Sequence, residues 1–448
     1  MDWKSYPILR LLIPMIIGMT GADLIYQTVH MSSHFTLLMV CVSLALLCII
    51  HFHESDQPQK SKSLFMPATL FFAFSFGFML VTYALDHATQ QYGEKWRWQI
   101  YHTNILCNNN AQNAQKKLHV IYHEHGLTGE SGSIIEAMTI GRKTELTKAT
   151  KAAFSRAGLS HILALSGFHI SIVFFILQAL FLGHIVTLRW RIISNALTLL
   201  CLWAYTFMAG MQPSLVRAVI MCTLLVLTST STHRVMSLNS CAIAAMIILI
   251  VNPLMLFHIG FQLSFTAVAG ICLIGMPLCN KYANKSLSHV APHSIILAIA
   301  YKVYNAIMSI VIISTICNIF TLPLVAYYFH QIPRLSLISN LLTTILVSSL
   351  IVIAAIWWIF IWCTPICTVL TTLLIKIADI ICFIAHYIAN TTIAIYTWAP
   401  TFIDVLFLYA IILSTTFLYH HPTIKKTYTL LFSIILYCIF ITFKRISI

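Results

Sequence analysis

Apolar runs close to twenty residues long alternate with short polar turns along nearly the whole chain. They fall at roughly 8–29, 35–52, 64–85, 157–173, 192–209, 212–230, 238–252, 254–276, 303–326, 335–362, 366–397, 402–419 and 427–443. A helix of about 20 residues crosses the hydrocarbon of a bilayer. Lipid offers the backbone no hydrogen bonds, so only helices or closed barrels can span it. The pattern predicts an all-α polytopic membrane protein, a bundle of about 11–13 transmembrane helices.

Polar residues inside these runs are costly and therefore informative. The stretch Ala157–Val173 carries two histidines, His161 and His169, among serines and glycines. Read as one helix, it places Ser160, Ala164, Gly167 and Ser171 on a narrow stripe of small residues that admits a neighbouring backbone. Ser166 and His169 fall off that stripe. A second cluster runs from Gly210 to Ala218; Pro213 suits a first helical turn, which sets Ser214 and Arg217 about 6 Å or less into a helix. Arg217 either snorkels to the interface or faces a polar path. A third cluster spans Asn252 to Phe265, where His258 and Gln262 share one face and Gly260 and Ser264 another. A fourth includes Asn318, Pro323, Arg334 and Asn340. Amides within a span commonly bond neighbouring helices. Four such clusters in one bundle point to a shared polar pathway lined by His161, Ser166, His169, Ser214, Arg217, His258, Gln262, Asn318 and Asn340.

The polar segment 86–157 is the one long interruption, with nine Lys and Arg against six Asp and Glu. Strand-like runs at Trp98–Leu106 and Lys117–Tyr122 flank the turn Asn108–Asn110, which predicts a small α+β loop region outside the membrane. Trp96, Arg97 and Trp98 suit an interfacial aromatic belt or base stacking beside a positive charge. Thr144–Ala157 reads as an amphipathic helix on the membrane surface, with Leu146, Ala149, Ala153 and Ala157 on one face and Lys148 and Lys151 on the other. An inside N-terminus puts Lys60, Lys62, Arg189, Arg191, Arg234, Lys281 and Lys285 in the cytoplasm, as the positive-inside rule requires. Segment 86–157 then lies outside. Two regions are expected: 1–135, with N-terminal helices and the segment 86–135, and a core at 136–448.

Composition agrees: 59% hydrophobic, 8% charged and a formal net charge of +14. Soluble domains carry about 25% charged residues. No acidic residue occurs between Glu145 and Asp379. Proton-driven pumps and cation pores use intramembrane carboxylates, so the bundle suits an anionic or neutral substrate. The 13 cysteines lie mostly in apolar runs and read as packing. His51–Asp56 has the wrong spacing for a metal motif and reads as a turn; neither a metal site nor a cofactor is expected.

The run His161-Ile-Leu-Ala-Leu-Ser166-Gly167-Phe-His169 comes first. It is followed by Pro213-Ser214-Leu-Val-Arg217-Ala218, then Gly260-Phe261-Gln262-Leu263-Ser264-Phe265, then Pro323, Phe329 and Asn340-Leu341-Leu342. In this order the motifs resemble the ComEC family, bacterial inner-membrane channels that import single-stranded DNA in natural transformation. The resemblance covers about 136–350 well, including the lead-in Ala137–Gly141. Arg142 stands where the family often has Asp. Residues 86–135 leave room for about half of the family's OB-type domain. The chain stops at Ile448 without the HxHxDH motif of the metallo-β-lactamase-like domain that many members carry. The resemblance therefore implies a reduced channel core without nuclease chemistry. It also implies single-stranded DNA and a lipid bilayer as surroundings. An outer DNA receptor, a cytosolic DNA-translocating ATPase and a separate nuclease follow as partners.

A carboxylate-free lumen with few cations would hold phosphates weakly enough for transit. Trp96, Arg97, Trp98, Lys148 and Lys151 are candidates for DNA contact at the outer mouth. No GxxxxGK[ST] loop is present, so the driving force comes from elsewhere. Two rival readings remain open. One is an intramembrane serine hydrolase built on Ser166 with His169 as base. The other is a small-molecule or lipid-phosphate permease, for which no internal repeat is found.

Overall fold

The computed structural model describes residues 7–29, 36, 39–44, 58–92, 109–182, 188–229, 237–287, 295–420 and 424–446. Among the described residues, seven helices are long and apolar enough to cross a membrane, and four shorter apolar helices accompany them. This is an all-α, multi-pass membrane protein. Most expected spans recur as helices: the run at 303–326 lies within helix Ile295–Phe329 and the run at 402–419 matches Phe402–His420, while of the run at 35–52 only residues 36 and 39–44 are described.

The chain divides into two compact units, one of Asp2–Ile105 and Ser231–Phe265, the other of Met1, Leu106–Thr230 and Thr266–Ile448. In the first, α1 (Pro7–Val29) packs along α2 (Pro58–Tyr92). Helices in lipid gain most where small residues let backbones touch. Gly18 and Gly77 are those points: a methyl on Gly18 would sit 2.1 Å from the Phe74 carbonyl oxygen, and one on Gly77 2.2 Å from that of Met15. Gly18→Val and Gly77→Val are each expected to lower stability in an SDS-unfolding titration by about 1–3 kcal/mol, the usual cost of overpacking. The same unit contains α10 (Ser237–Val251), followed by a 3₁₀ turn at Pro253–Phe257.

Helix α11 (Ile259–Gly270) crosses from this unit into the second, where it passes through a π turn at Ile271–Gly275 into α12 (Met276–Leu287). Pro277 explains the turn. It lacks the N–H that would bond the carbonyl of Leu273 and its ring crowds that position. His420 Nε2 meets the freed Leu273 oxygen at 2.7 Å. Pro323 likewise removes the N–H that would bond the Ile319 carbonyl of α13 (Ile295–Phe329), and at the next residue Tyr409 donates its hydroxyl to the Phe320 carbonyl at 3.0 Å. Both donors come from one helix, α16 (Phe402–His420), whose polar side chains thus bond backbone carbonyls beside the prolines of two neighbours.

The second unit also contains α3 (Asn109–Glu124), α4 (Gly129–Thr139), α5 (Lys148–Arg156), α6 (Ser160–Leu163), α7 (Gly167–Leu182), α8 (Leu188–Met208) and α9 (Pro213–Ser229). Beyond α13 come α14 (Ser336–Ile359), α15 (Thr364–Ala389) and α17 (Ile424–Ile446). The strands β1 (Gln331–Pro333) and β2 (Ile395–Thr397) form one antiparallel pair. The strand expected over Lys117–Tyr122 is helical, within α3. Its β-branched residues suit a strand locally, but as a helix it buries Leu118 and Tyr122 in the core built by α14 and α15. Tyr122 stacks on Trp357 with centroids 5.2 Å apart, and Trp358 Nε1 donates to its hydroxyl at 3.1 Å.

The helix expected at Thr144–Ala157 is shorter and differently placed. Thr147 caps it by accepting from the Thr150 amide. Its residues Ala153 and Phe154 are buried, Phe154 joining Leu374, Ala378 and Ile381 of α15 in the core, whereas Ala149 is exposed. Intramolecular packing, and not lipid, covers that face.

Candidate functional site

In the second unit, four interruptions of helix meet. The stretch Ala157–Val173 is not one helix: α6 ends at Leu163, Ala164 is extended, and α7 starts at Gly167. Serine side chains compete for local backbone partners and so favour caps over helix interiors. Here the Ser166 hydroxyl lies 2.8 Å and its amide 3.2 Å from His169 Nδ1. The stripe Ser160, Ala164, Gly167 and Ser171 is therefore broken between its second and third members. Gly167 keeps a packing task, since a Cβ there would lie 3.6 Å from the Ala218 Cβ on α9.

The break turns Leu165 into the core, fully buried. Its carbonyl accepts the Ser214 hydroxyl at 2.6 Å, fastening the first turn of α9 to the break. The lead-in segment closes over the same point. Tyr205 donates to the Thr139 carbonyl, Gln115 to that of Ile140 and Gln212 to that of Gly141, each at 2.7 Å. Three successive carbonyls are thus held by side chains from α8, α3 and the α8–α9 turn. Gly141 adopts φ +74°, and a Cβ there would stand 2.2 Å from Gln212 Nε2 and 2.8 Å from Leu165 Cδ1. Only glycine takes this conformation and this space without strain. On the other side, Gln331 donates to the Ser155 hydroxyl at 2.9 Å, and Gly158 packs against Pro333 and Ser336.

Arg217 and His169 are buried within the protein, 3% and 1% exposed. Arg217 does not snorkel to an outer surface. Nδ1 of His169 accepts from Ser166, so its proton sits on Nε2; that atom is buried and without a hydrogen-bond partner among the described residues. Asn340 Oδ1 is in the same condition. Asn318 donates to the Ser336 hydroxyl at 3.2 Å, joining α13 to α14 as interhelical glue. His161 lies on the exposed side of α6.

Other expected residues fall elsewhere. His258, Gly260, Gln262 and Ser264 belong to the first unit. There His258 Nδ1 accepts from the Gly260 amide at 3.1 Å, and Gln262 donates to the Leu256 carbonyl at 3.0 Å. Both close the junction between the 3₁₀ turn and α11. His258 stands before the helix, so the face expected to pair it with Gln262 does not form. Lys148 and Lys151 are exposed on α5. Trp96, Arg97 and Trp98, and the turn His51–Asp56, lie outside the described residues.

A serine hydrolase needs a base that is itself oriented by a third group. The Ser166–His169 distance fits the first requirement, but Nδ1 also receives the Ser166 amide. The pair is built as a helix cap, and His169 Nε2 meets no orienting carboxylate among the described residues.

Outside the spans, the Thr150 hydroxyl, 2.5 Å from Glu130, holds that carboxyl below the usual carboxylate range, helped by Cys382 and His386 against partial burial. Burial pulls the Lys143 ammonium down, and Lys151 nearby adds to the effect. Gln115, Tyr205 and Gln212, which hold the lead-in, escape sequence reading: amides and phenols beside a turn are common, and only their shared target marks them.

The described interruptions all fall within a region that a family model recognises. The model of the family described as Competence protein matches residues 138–422, more than half of the chain. The chain belongs to the competence protein family. Over 265 residues it is 26% identical to ComE operon protein 3 of Bacillus subtilis (strain 168), a match covering 58% of this chain and 31% of that protein. The chain thus spans less than a third of the length of this curated relative. No solved structure matches it. The family match begins at Met138, within the last turn of α4, so the carbonyls of Thr139, Ile140 and Gly141 and the breaks at Ala164–Ser166, Gly210–Gln212 and His330–Leu335 are all competence-family territory.

Proposed function

We propose that this competence-family chain is a channel for single-stranded DNA uptake during natural transformation, set in the bacterial cytoplasmic membrane, with residues 136–448 as its core. One observation carries the reading. Arg217 and His169, whose Nε2 has no hydrogen-bond partner among the described residues, are enclosed in a bundle whose central sequence has no carboxylate between Glu145 and Asp379. Buried polar atoms are normally satisfied; the N–H of His169 Nε2 can donate to a passing anion, and a guanidinium enclosed by protein suits a negatively charged ligand. A small number of cations among neutral groups would hold phosphates weakly and repeatedly, which conduction needs. In this reading His161, Ser166, His169, Ser214, Arg217, Asn318 and Asn340 of the second unit border the path. Trp96, Arg97, Trp98, Lys148 and Lys151 contact DNA at the outer mouth. An outer DNA receptor, a cytosolic DNA-translocating ATPase and a separate nuclease would complete the system.

The test is a deletion strain given labelled duplex DNA. Surface binding is expected to persist while label entering the cytosol and transformant number fall at least a hundredfold, both restored by the intact gene. Normal cytosolic entry without the chain would overturn the reading.

A further inference from the structure

The helix pair α3–α4 holds a group of side chains that the transport reading does not use. His119 and His123 are one turn apart on α3, so they share a face; their ring centroids are 4.4 Å apart. Across from them on α4 is Glu136, its side chain only 1% exposed. His119 Nδ1 lies 2.8 and 3.0 Å from its two carboxylate oxygens. One donor atom from each of His119, His123 and Glu136 lies within 4.8 Å of the others.

A carboxylate this deeply buried needs a positive partner or metal coordination. Its neighbours in the chain, Ile134, Ile135, Ala137 and Met138, are fully buried apolar residues. His119 meets both of its oxygens through a single ring nitrogen, Nδ1. Two imidazoles and one carboxylate are the ligand types of zinc and its neighbours in the first transition row, whereas magnesium and calcium prefer oxygens throughout. Tetrahedral zinc with bonds of about 2.0–2.2 Å sets its ligand atoms a little over 3 Å apart. Small side-chain rotations would bring the three donors to that spacing. Three protein ligands leave a fourth position, and because His123 is exposed that position can open to solvent.

We propose that His119, His123 and Glu136 form a binding site for a zinc-class divalent cation, with water at the fourth position. The ion would clamp α3 to α4. That matters because α3 also carries Gln115, which holds the Ile140 carbonyl, and Tyr122, whose hydroxyl donates to Thr139 Oγ1 at 3.0 Å. Metal occupancy would thereby stiffen the segment that leads into Gly141.

A second group, Glu130, Cys382 and His386, also brings donors within 4.8 Å. Glu130 is exposed and already bonded by Thr150, so this group serves as the internal control. The full chain, isolated through a tag free of histidine and stripped with chelator, is titrated with Zn²⁺ against a chromophoric competitor. Cobalt(II) is added separately for its visible spectrum. Wild type is expected to bind one equivalent of zinc tightly enough to outcompete the indicator and to give the intense bands of four-coordinate cobalt. His123→Ala removes an exposed side chain from a helix and leaves the fold intact, with His123→Gln as a second variant. Both are expected to weaken zinc at least tenfold and to lose the cobalt bands, while Cys382→Ser binds like wild type. No zinc bound by wild type, binding unchanged in both His123 variants, or loss confined to Cys382→Ser would each overturn the proposal.

Discussion

Arg217→Met is expected to cut DNA entry into the cytosol at least a hundredfold while leaving the protein folded and present at normal levels. Methionine keeps the length and apolar stem of the arginine side chain, so packing changes little. A buried charge is expensive to hold, and that desolvation cost, relieved in the methionine variant, offsets part of what is lost with the contacts of the guanidinium. Transport should therefore fall far more than stability. A residue retained only for packing would show no such split. Arg217 is 3% exposed, so the substitution acts inside the bundle and not at a lipid-facing surface. Arg217→Lys keeps the charge but loses the planar fork and should recover part of the uptake. The measurement is cytosolic label and transformant number, set against SDS-unfolding midpoints. Uptake within twofold of wild type in the methionine variant, at equal protein level, would remove Arg217 from the path.

The second large effect is expected at Gly141. Gly141→Val forces a β-branched residue into φ +74° and drives its Cβ towards Gln212 Nε2, 2.2 Å away, and Leu165 Cδ1, 2.8 Å away. Left-handed strain and overpacking each cost on the order of 1–3 kcal/mol, a large share of a membrane bundle's margin. The expected result is a marked loss of folded protein in membranes and, with it, of uptake. Gly141→Ala separates the two causes. In a Gln212→Ala background the collision with the amide is gone but the backbone strain remains, so the glycine substitution should cost less there than in wild type. Equal cost in both backgrounds would show that Gln212 is not the obstacle.

Much of the architecture was legible in the linear pattern, because a helix in lipid satisfies its own backbone and needs only length and apolarity to be recognised. Helices α8, α9, α14 and α16 fall where the apolar runs lie. The break at Ala164–Ser166 was not legible. Its cause is a competition between helix continuation and the pairing of Ser166 with His169, and hydropathy does not register such a competition. Lys117–Tyr122 misled for a related reason: strand-like composition yields to burial of Leu118 and Tyr122 against α14 and α15. His119 and His123 show their helical spacing in the sequence, but the pairing with Glu136 depends on how α3 folds back on α4.

The amino-acid sequence by itself determined that the chain lives in a membrane, roughly where it crosses, that its central bundle is free of acidic residues, and which short motifs tie it to the competence family. Those properties depend on composition and on neighbours within about one helical turn. Only the tertiary structure decided whether Arg217 meets lipid or protein, which carbonyls Gln115, Tyr205 and Gln212 hold, and which helices cover the apolar face of α5. Each of these depends on contacts between residues far apart in the chain, and a helix's own periodicity says which face is apolar without saying what will lie against it.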